Sequence, residues 1–181
     1  MIEMMCAGFG GQGVLSSGRI LAEAGMKLGK TVTWSPSYGS EMRGGVAECM
    51  IKFSDKPIAN PCARHLDILM ALNGVAIDKF EARLKPGGLL LVNSSSSVEK
   101  RAYRDDIRVV EIPAADIAAK CDNLRGTNIV MMGALATNSD LFKPDELEHL
   151  INEFFEKKGK NNPKNSLCFK EGTKIKETSN K

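Results

Sequence analysis

The sequence predicts an α/β protein of Rossmann-like type, with a mostly parallel sheet and helices on both faces. Three observations predict it. A mostly apolar run, Ile2 to Ala7, leads through the glycine turn Gly8-Phe9-Gly10-Gly11-Gln12-Gly13 into a segment of helical periodicity. Short apolar runs bounded by Gly, Pro and Ser then recur along the chain. Helical patterns alternate with them, and that alternation builds parallel sheets covered by crossover helices.

The elements follow in order. Ile2 to Ala7 reads as a buried strand. Val14, Gly18, Leu21, Gly25 and Leu28 recur at three- and four-residue steps, one face of a helix that Gly29 stops. A short second strand runs to Trp34 from Lys30 or Thr31, and Ser35 to Gly45 reads as an irregular loop. In a doubly wound sheet that strand lies beside the first, which brings its loop to the glycine turn. Val46 to Phe53 alternates, with Ala47, Cys49, Ile51 and Phe53 on one side and Glu48 and Lys52 on the other. It predicts a strand with one wet face, near an edge. Ser54 to Pro57 is a turn.

Asp67 to Leu72 and Leu89 to Val92 predict buried parallel strands, separated by a helix carrying Ile77, Phe80 and Leu84 and by a turn at Lys85-Pro86-Gly87-Gly88. Ser94 to Ser97 is a serine run at a strand end. Ile107 to Ile112 is another strand. Ala114 to Lys120 and Asn128 to Asn138 read as helices. Pro144 opens an amphipathic helix with Leu147, Leu150, Ile151 and Phe154, and Gly159 ends it. A weak last helix spans Pro163 to Glu171. This divides the chain into a Rossmann-like domain, 1–159, and a basic C-terminal helix and tail, 160–181.

A length of 181 residues and an apolar share of 43% fit one globular domain. No apolar run approaches the ~18 residues that span a bilayer. The N-terminus has no signal-peptide pattern, so the expected compartment is the cytoplasm. Net charge is +3, and from Glu156 to Lys181 eight Lys stand against three Glu. That tail has no Arg and a single aromatic, Phe169, too little for base stacking or bidentate base contacts. Neither nucleic acid nor a membrane is an expected partner. The five cysteines form no Cys-x-x-Cys pair, and His65 and His149 are the only histidines. The common zinc and iron–sulfur spacings are thereby excluded.

The glycine turn aims backbone N–H groups and a helix dipole at one point. Gly8, Gly10 and Gly13 occupy the three glycine places of the dinucleotide fingerprint. A nicotinamide site also wants an acidic residue about 20 residues on. Here the second strand ends in Ser35-Pro36-Ser37, and Glu41 is the first carboxylate after it. Three readings stand: a turn that only packs helix on strand, an anion or phosphate site, and an NAD site. The second loop adds Tyr38, Glu41 and Arg43. A guanidinium there can clamp a phosphate or carboxylate bidentately, or pair with Glu41 as plain structure. No nucleophile elbow and no acid–base cluster is visible.

Three motifs in this order carry a family resemblance: Gly-Phe-Gly-Gly-Gln-Gly-Val at 8–14, Pro-Ser-Tyr-Gly-Ser-Glu-Met-Arg-Gly-Gly at 36–45, and Ser-Asp-Lys-Pro-Ile at 54–58. Together they resemble the gamma subunit of 2-oxoacid:ferredoxin oxidoreductases, over residues 1 to about 172. The Ser-Tyr-Gly-x-Glu-Met-Arg-Gly-Gly form is more similar to the 2-oxoglutarate and branched-chain types than to the pyruvate type. The resemblance implies a subunit of a complex that turns a 2-oxoacid, coenzyme A and oxidised ferredoxin into acyl-CoA, CO2 and reduced ferredoxin. It implies alpha, beta and delta (ferredoxin-like) partner subunits. Thiamine diphosphate, Mg and iron–sulfur clusters would belong to those partners, and no cofactor would be held firmly by this chain alone. No catalytic residue and no metal ligand is expected here. The implied contact surface is Gly8, Gly10, Gly11, Gln12 and Gly13 with Ser37, Tyr38, Glu41 and Arg43. The alternative is a stand-alone Rossmann-type enzyme that binds a nucleotide or phosphate ligand.

Overall fold

The computed structural model describes residues 1–38, 45–62, 64–96 and 101–177. Strands β1 (Ile2–Phe9), β2 (Thr31–Tyr38), β3 (Val46–Ser54), β4 (Leu66–Ala71), β5 (Leu84–Asn93) and β6 (Arg108–Ile112) form one sheet, in the order β2-β3-β1-β4-β5-β6. From β1 to β6 the pairing is parallel. Strand β3 is antiparallel to both β1 and β2, so it alone runs against the other five. The expected α/β class with a mostly parallel sheet is what the chain adopts. The expected neighbour of β1 is not. Strand β3, rather than β2, lies beside it, with Cys6 opposite Cys49 and Gly8 opposite Ala47.

Two apolar layers explain the uninterrupted apolar runs of β1, β4 and β5. Met4 and Cys6 face one layer, Met5 and Ala7 the other. Ile68 and Met70, then Leu69 and Ala71, divide in the same way. Strands buried on both faces need apolar residues at every position. One face carries helices α1 (Val14–Lys27), α3 (Ala114–Lys120), α4 (Thr127–Asn138), α5 (Pro144–Glu156) and α6 (Lys164–Thr173). The other carries α2 (Gly74–Phe80), through Ala76, Ile77 and Phe80. Among the described residues, no helix is long and apolar enough to cross a membrane.

Several local expectations change. Strand β2 continues through Pro36 to Tyr38, because an edge strand tolerates a residue that cannot donate. Strand β5 begins at Leu84 and absorbs Lys85 to Gly88, with a register shift against β4 between Leu66 and Ile68. Leu84 therefore leaves the helix to which its spacing assigned it. Strand β3 is one place in from the edge, and Lys52 on its supposedly wet face is only 4% exposed. Glu3 stands directly across on β1, and its Oε1 lies 2.9 Å from Lys52 Nζ. An ammonium is buried only when it is paired in this way.

Helix α6 is joined to this core. Cys168 and Phe169 are buried in the same cluster as α4 and α5. Gly133 of α4 and Gly172 of α6 bring the two helices together. A Cβ on Gly133 would stand 2.2 Å from the Phe169 carbonyl oxygen, and one on Gly172 2.1 Å from that of Val130. Neither site can hold a methyl group without backbone movement.

Gly133→Ala is therefore expected to destabilise the protein by about 3 kcal/mol, the upper range for overpacking. The helix-propensity gain of up to about 1 kcal/mol works against this loss and is smaller. Urea unfolding measures the difference. An unchanged midpoint would mean that α6 does not pack on α4 as described.

Candidate functional site

The glycine turn closes the C-terminal end of β1 and starts α1. Gly11 and Gly13 have φ of 100° and 82°, where a side chain is strained. Gly13 is the left-handed N-cap of α1, and its carbonyl accepts from Ser17 N at 2.8 Å. Gly10 N donates to Gly45 O at 3.1 Å. The turn is thus tied to the start of β3.

Gln12 fixes the other side. Its Oε1 accepts from Phe9 N at 2.7 Å and from Asn73 Nδ2 at 2.9 Å, and its Nε2 donates to Leu72 O at 3.3 Å. Asn73 in turn caps α2, accepting from Ala76 N at 2.9 Å. The Gln12 side chain is spent on joining β1, β4 and α2, which leaves the turn's backbone to face outward.

Beyond Gln12 lies a cleft of about 600 Å³ at the strand ends, lined among others by Gly11, Gly13, Ser16, Asn93, Arg125 and Asn128. Two helices begin there. Neither α1 nor α4 has an acidic residue in its first turn, so nothing within them offsets the positive ends of their dipoles. Their first N–H groups have no intrahelical acceptor. Arg125 is exposed beside α4 and has no carboxylate partner among the described residues. Asn128 is buried and holds the two helices together, donating from Nδ2 to Ser17 Oγ at 3.2 Å and to Gly13 O at 3.5 Å.

Asn93 is the unusual member. It is 1% exposed, and its Nδ2 donates to Leu72 O at 3.2 Å and Ser96 Oγ at 2.9 Å. Among the described residues its Oδ1 is buried with no partner. A buried acceptor without a donor costs about 1–3 kcal/mol, so a ligand N–H or O–H placed there recovers that loss. The serine run supports the same rim: Ser95 Oγ donates to Asp116 Oδ2 at 2.9 Å and accepts from Asp116 N at 3.1 Å. The cleft can hold an anionic group at the helix ends with a hydrogen-bond donor next to it.

The sequence-predicted residues divide around this centre. Gly8, Gly10, Gly11, Gln12 and Gly13 form the turn. Ser37 and Tyr38 end β2, where Tyr38 pairs with Ala47 and so lies two strands from Gly8. Glu41 and Arg43 lie outside the described residues. Asn93, Arg125 and Asn128 were missed. A lone Asn or Arg before a helix carries no sequence signal of its own, although Asn93 ends a strand beside the serine run.

Gln12→Ala is expected to cost about 2 kcal/mol, since it leaves Phe9 N and Asn73 without their acceptor. Gln12→Glu keeps that acceptor and should recover part of the loss. Paired urea titrations of the two variants measure this. Equal losses would show that the acceptor does not hold the turn.

Residues 3–175 match the family described as pyruvate ferredoxin/flavodoxin oxidoreductase. The chain is 33% identical over 175 residues to 2-oxoglutarate synthase subunit KorC of Methanocaldococcus jannaschii, which covers 96% of this chain and 92% of that one. It is 36% identical over 134 residues to ketoisovalerate oxidoreductase subunit VorA of Methanothermobacter thermautotrophicus, covering 74% of this chain but only 28% of VorA. Among solved structures, 2-oxoglutarate:ferredoxin oxidoreductase from Magnetococcus marinus, with 2-oxoglutarate, coenzyme A and succinyl-CoA bound, shares the fold. Its TM-score is 0.85 at 24% identity, over 96% of this chain and 30% of that one. With nearly its whole length matched, the chain belongs to the pyruvate ferredoxin/flavodoxin oxidoreductase family.

Proposed function

We propose that this chain is the gamma component of a 2-oxoacid:ferredoxin oxidoreductase of the 2-oxoglutarate type. The complex would convert 2-oxoacid, coenzyme A and oxidised ferredoxin to acyl-CoA, CO2 and reduced ferredoxin. The observation that carries this reading is the 33% identity to KorC across almost the full length of both chains. The loop motif at 36–45 agrees with it.

In this reading the redox chemistry belongs to alpha, beta and delta subunits, in the cytoplasm. Thiamine diphosphate, Mg and iron–sulfur clusters need ligand sets, and the described residues offer no group of three His, Cys, Asp or Glu to hold a metal. This chain's own contribution is an anion-binding surface. Gly8, Gly10, Gly11, Gln12 and Gly13 shape it, and Ser37, Tyr38, Glu41 and Arg43 are taken as a separate contact region on the family resemblance alone. Coenzyme A fits its chemistry: phosphates for the helix ends and Arg125, and amide and hydroxyl donors for Asn93 Oδ1.

Purified alone, the chain is expected to show no turnover of 2-oxoglutarate with coenzyme A and a viologen acceptor. Addition of the partner subunits should restore it. Turnover by the chain alone would favour the stand-alone Rossmann-type enzyme instead.

Arg43 provides the sharper test. Arg43→Ala should leave stability within ~0.5 kcal/mol, as for a surface change. In the reconstituted complex it should raise the KM for coenzyme A or weaken assembly. Arg43→Lys should rescue only part, because it keeps the charge and loses the bidentate fork. A large stability loss with a normal complex would make Arg43 a structural ion-pair residue.

A further inference from the structure

The two edges of the sheet are guarded differently. Strand β6 reads Arg-Val-Val-Glu-Ile, and its charges are engaged: Arg108 pairs with Glu177, and Glu111 accepts from Tyr103. Charged edges of this kind discourage further strand pairing. Strand β2 reads Thr-Val-Thr-Trp-Ser-Pro-Ser-Tyr and carries no charge at all. It ends the sheet on its side. Pro36 has no N–H, and Pro in an edge strand turns its nitrogen outward. By the two-residue period of a strand, the backbone groups of Val32 and Trp34 face outward with it.

Beside this edge lies a small apolar cleft. Arg19, Ala22, Glu23, Met26, Val32 and Trp34 line a space of about 260 Å³ between α1 and β2. Trp34 is 38% exposed and Met26 54%. The indole is held in place, because its Nε1 lies over Gly18, 2.9 Å from where a Cβ would stand. A fixed, half-exposed tryptophan next to a strand edge that no described strand pairs is what a recognition surface presents.

The relatives indicate what covers it. The matched unit makes up 92% of KorC's length and 28% of VorA's. In VorA the rest of a long polypeptide is therefore held to this unit covalently. Where the unit is nearly a whole chain, as in KorC, that neighbourhood has to be made by contact. We infer that the β2 edge and the Trp34–Met26 cleft dock the polypeptide that the longer relatives carry in the same chain as this unit. The occupant is an extended segment of a partner subunit, added as a strand along Thr31 to Ser35, with an apolar side chain in the cleft. Pro36 limits how far the added strand runs. This inference rests on the gamma-component reading.

Trp34 is the chain's single tryptophan, so it reports on its own site. Labelled with 5-fluorotryptophan and mixed with the unlabelled partner subunits, it should give one shifted 19F resonance that loses its solvent isotope shift. Trp34→Lys should weaken assembly about thirtyfold, the effect of losing an aromatic anchor, measured well below the melting temperature of the isolated variant. Trp34→Phe should recover most of the affinity. An assembled complex with Trp34 still open to solvent, or with undiminished affinity in Trp34→Lys, would overturn the docking surface and leave the gamma-component reading standing. A 19F shift that grows with the concentration of this chain alone would make the occupant a second copy and overturn it too. Failure of the wild-type chain to assemble with those subunits would sink the parent reading and the surface together.

Discussion

Everything at the site depends on how β1 is held on both sides. To one side it pairs antiparallel with β3 from Ile2↔Phe53 to Phe9↔Val46. To the other it pairs parallel with β4 from Met4↔Ile68 to Ala7↔Ala71. Where the β4 pairing ends, Leu72 N still donates to Ala7 O at 2.8 Å. Gln12 then folds back over the junction to Leu72 O and Asn73. A glycine-rich turn has high conformational freedom and would not hold a shape unaided. Anchored to the ends of three elements, it becomes a rigid rim of backbone donors.

The strands most legible in the sequence are those buried on both faces. In β1, β4 and the second half of β5, sterically uniform surroundings demand apolar residues throughout, and the run itself is the signal. Strand β2 was only half legible. Its second half, Ser-Pro-Ser-Tyr, has the composition of a turn, and only its place at the sheet edge makes those residues a strand. Strand order was not legible either. Nothing within Val46–Ser54 says that it inserts between β1 and β2, because that choice is made by pairing across the sheet. Lys52 shows the same limit. Its burial depends on Glu3, 49 positions away in the sequence and directly opposite in the sheet.

The candidate site was legible where backbone geometry demands a residue type, and hidden where a side chain serves through tertiary contact. Glycine at positive φ leaves a mark in the sequence. Asparagine does not, because Asn73 as a helix cap, Asn128 as a clamp on Gly13 and Asn93 as an unpaired acceptor look alike before folding. Only their hydrogen bonds in the folded chain separate them. All three are buried, Asn73 and Asn128 with their amides engaged, whereas Asn93 keeps one oxygen without a partner among the described residues. That difference makes Asn93 a candidate for ligand contact and the other two parts of the frame.

The missing acidic residue after the second strand has a structural reason. A dinucleotide site of the usual kind places the end of a parallel strand next to the glycine turn, and a carboxylate at that end reaches the ribose. Here the strand beside β1 is β3, which runs the other way, so its beginning faces the turn. Gly45 O takes the N–H of Gly10, and Val46 pairs with Phe9 in the space a ribose would approach. Strand β2 does end at the same side of the sheet, but with β3 in between, about 10 Å away at the usual strand spacing. A carboxylate at its end would not reach the ribose. The fingerprint glycines therefore persist without the dinucleotide logic around them. The open side of the turn is the opposite one, toward Asn93 and the start of α4, where the helix ends favour a phosphate.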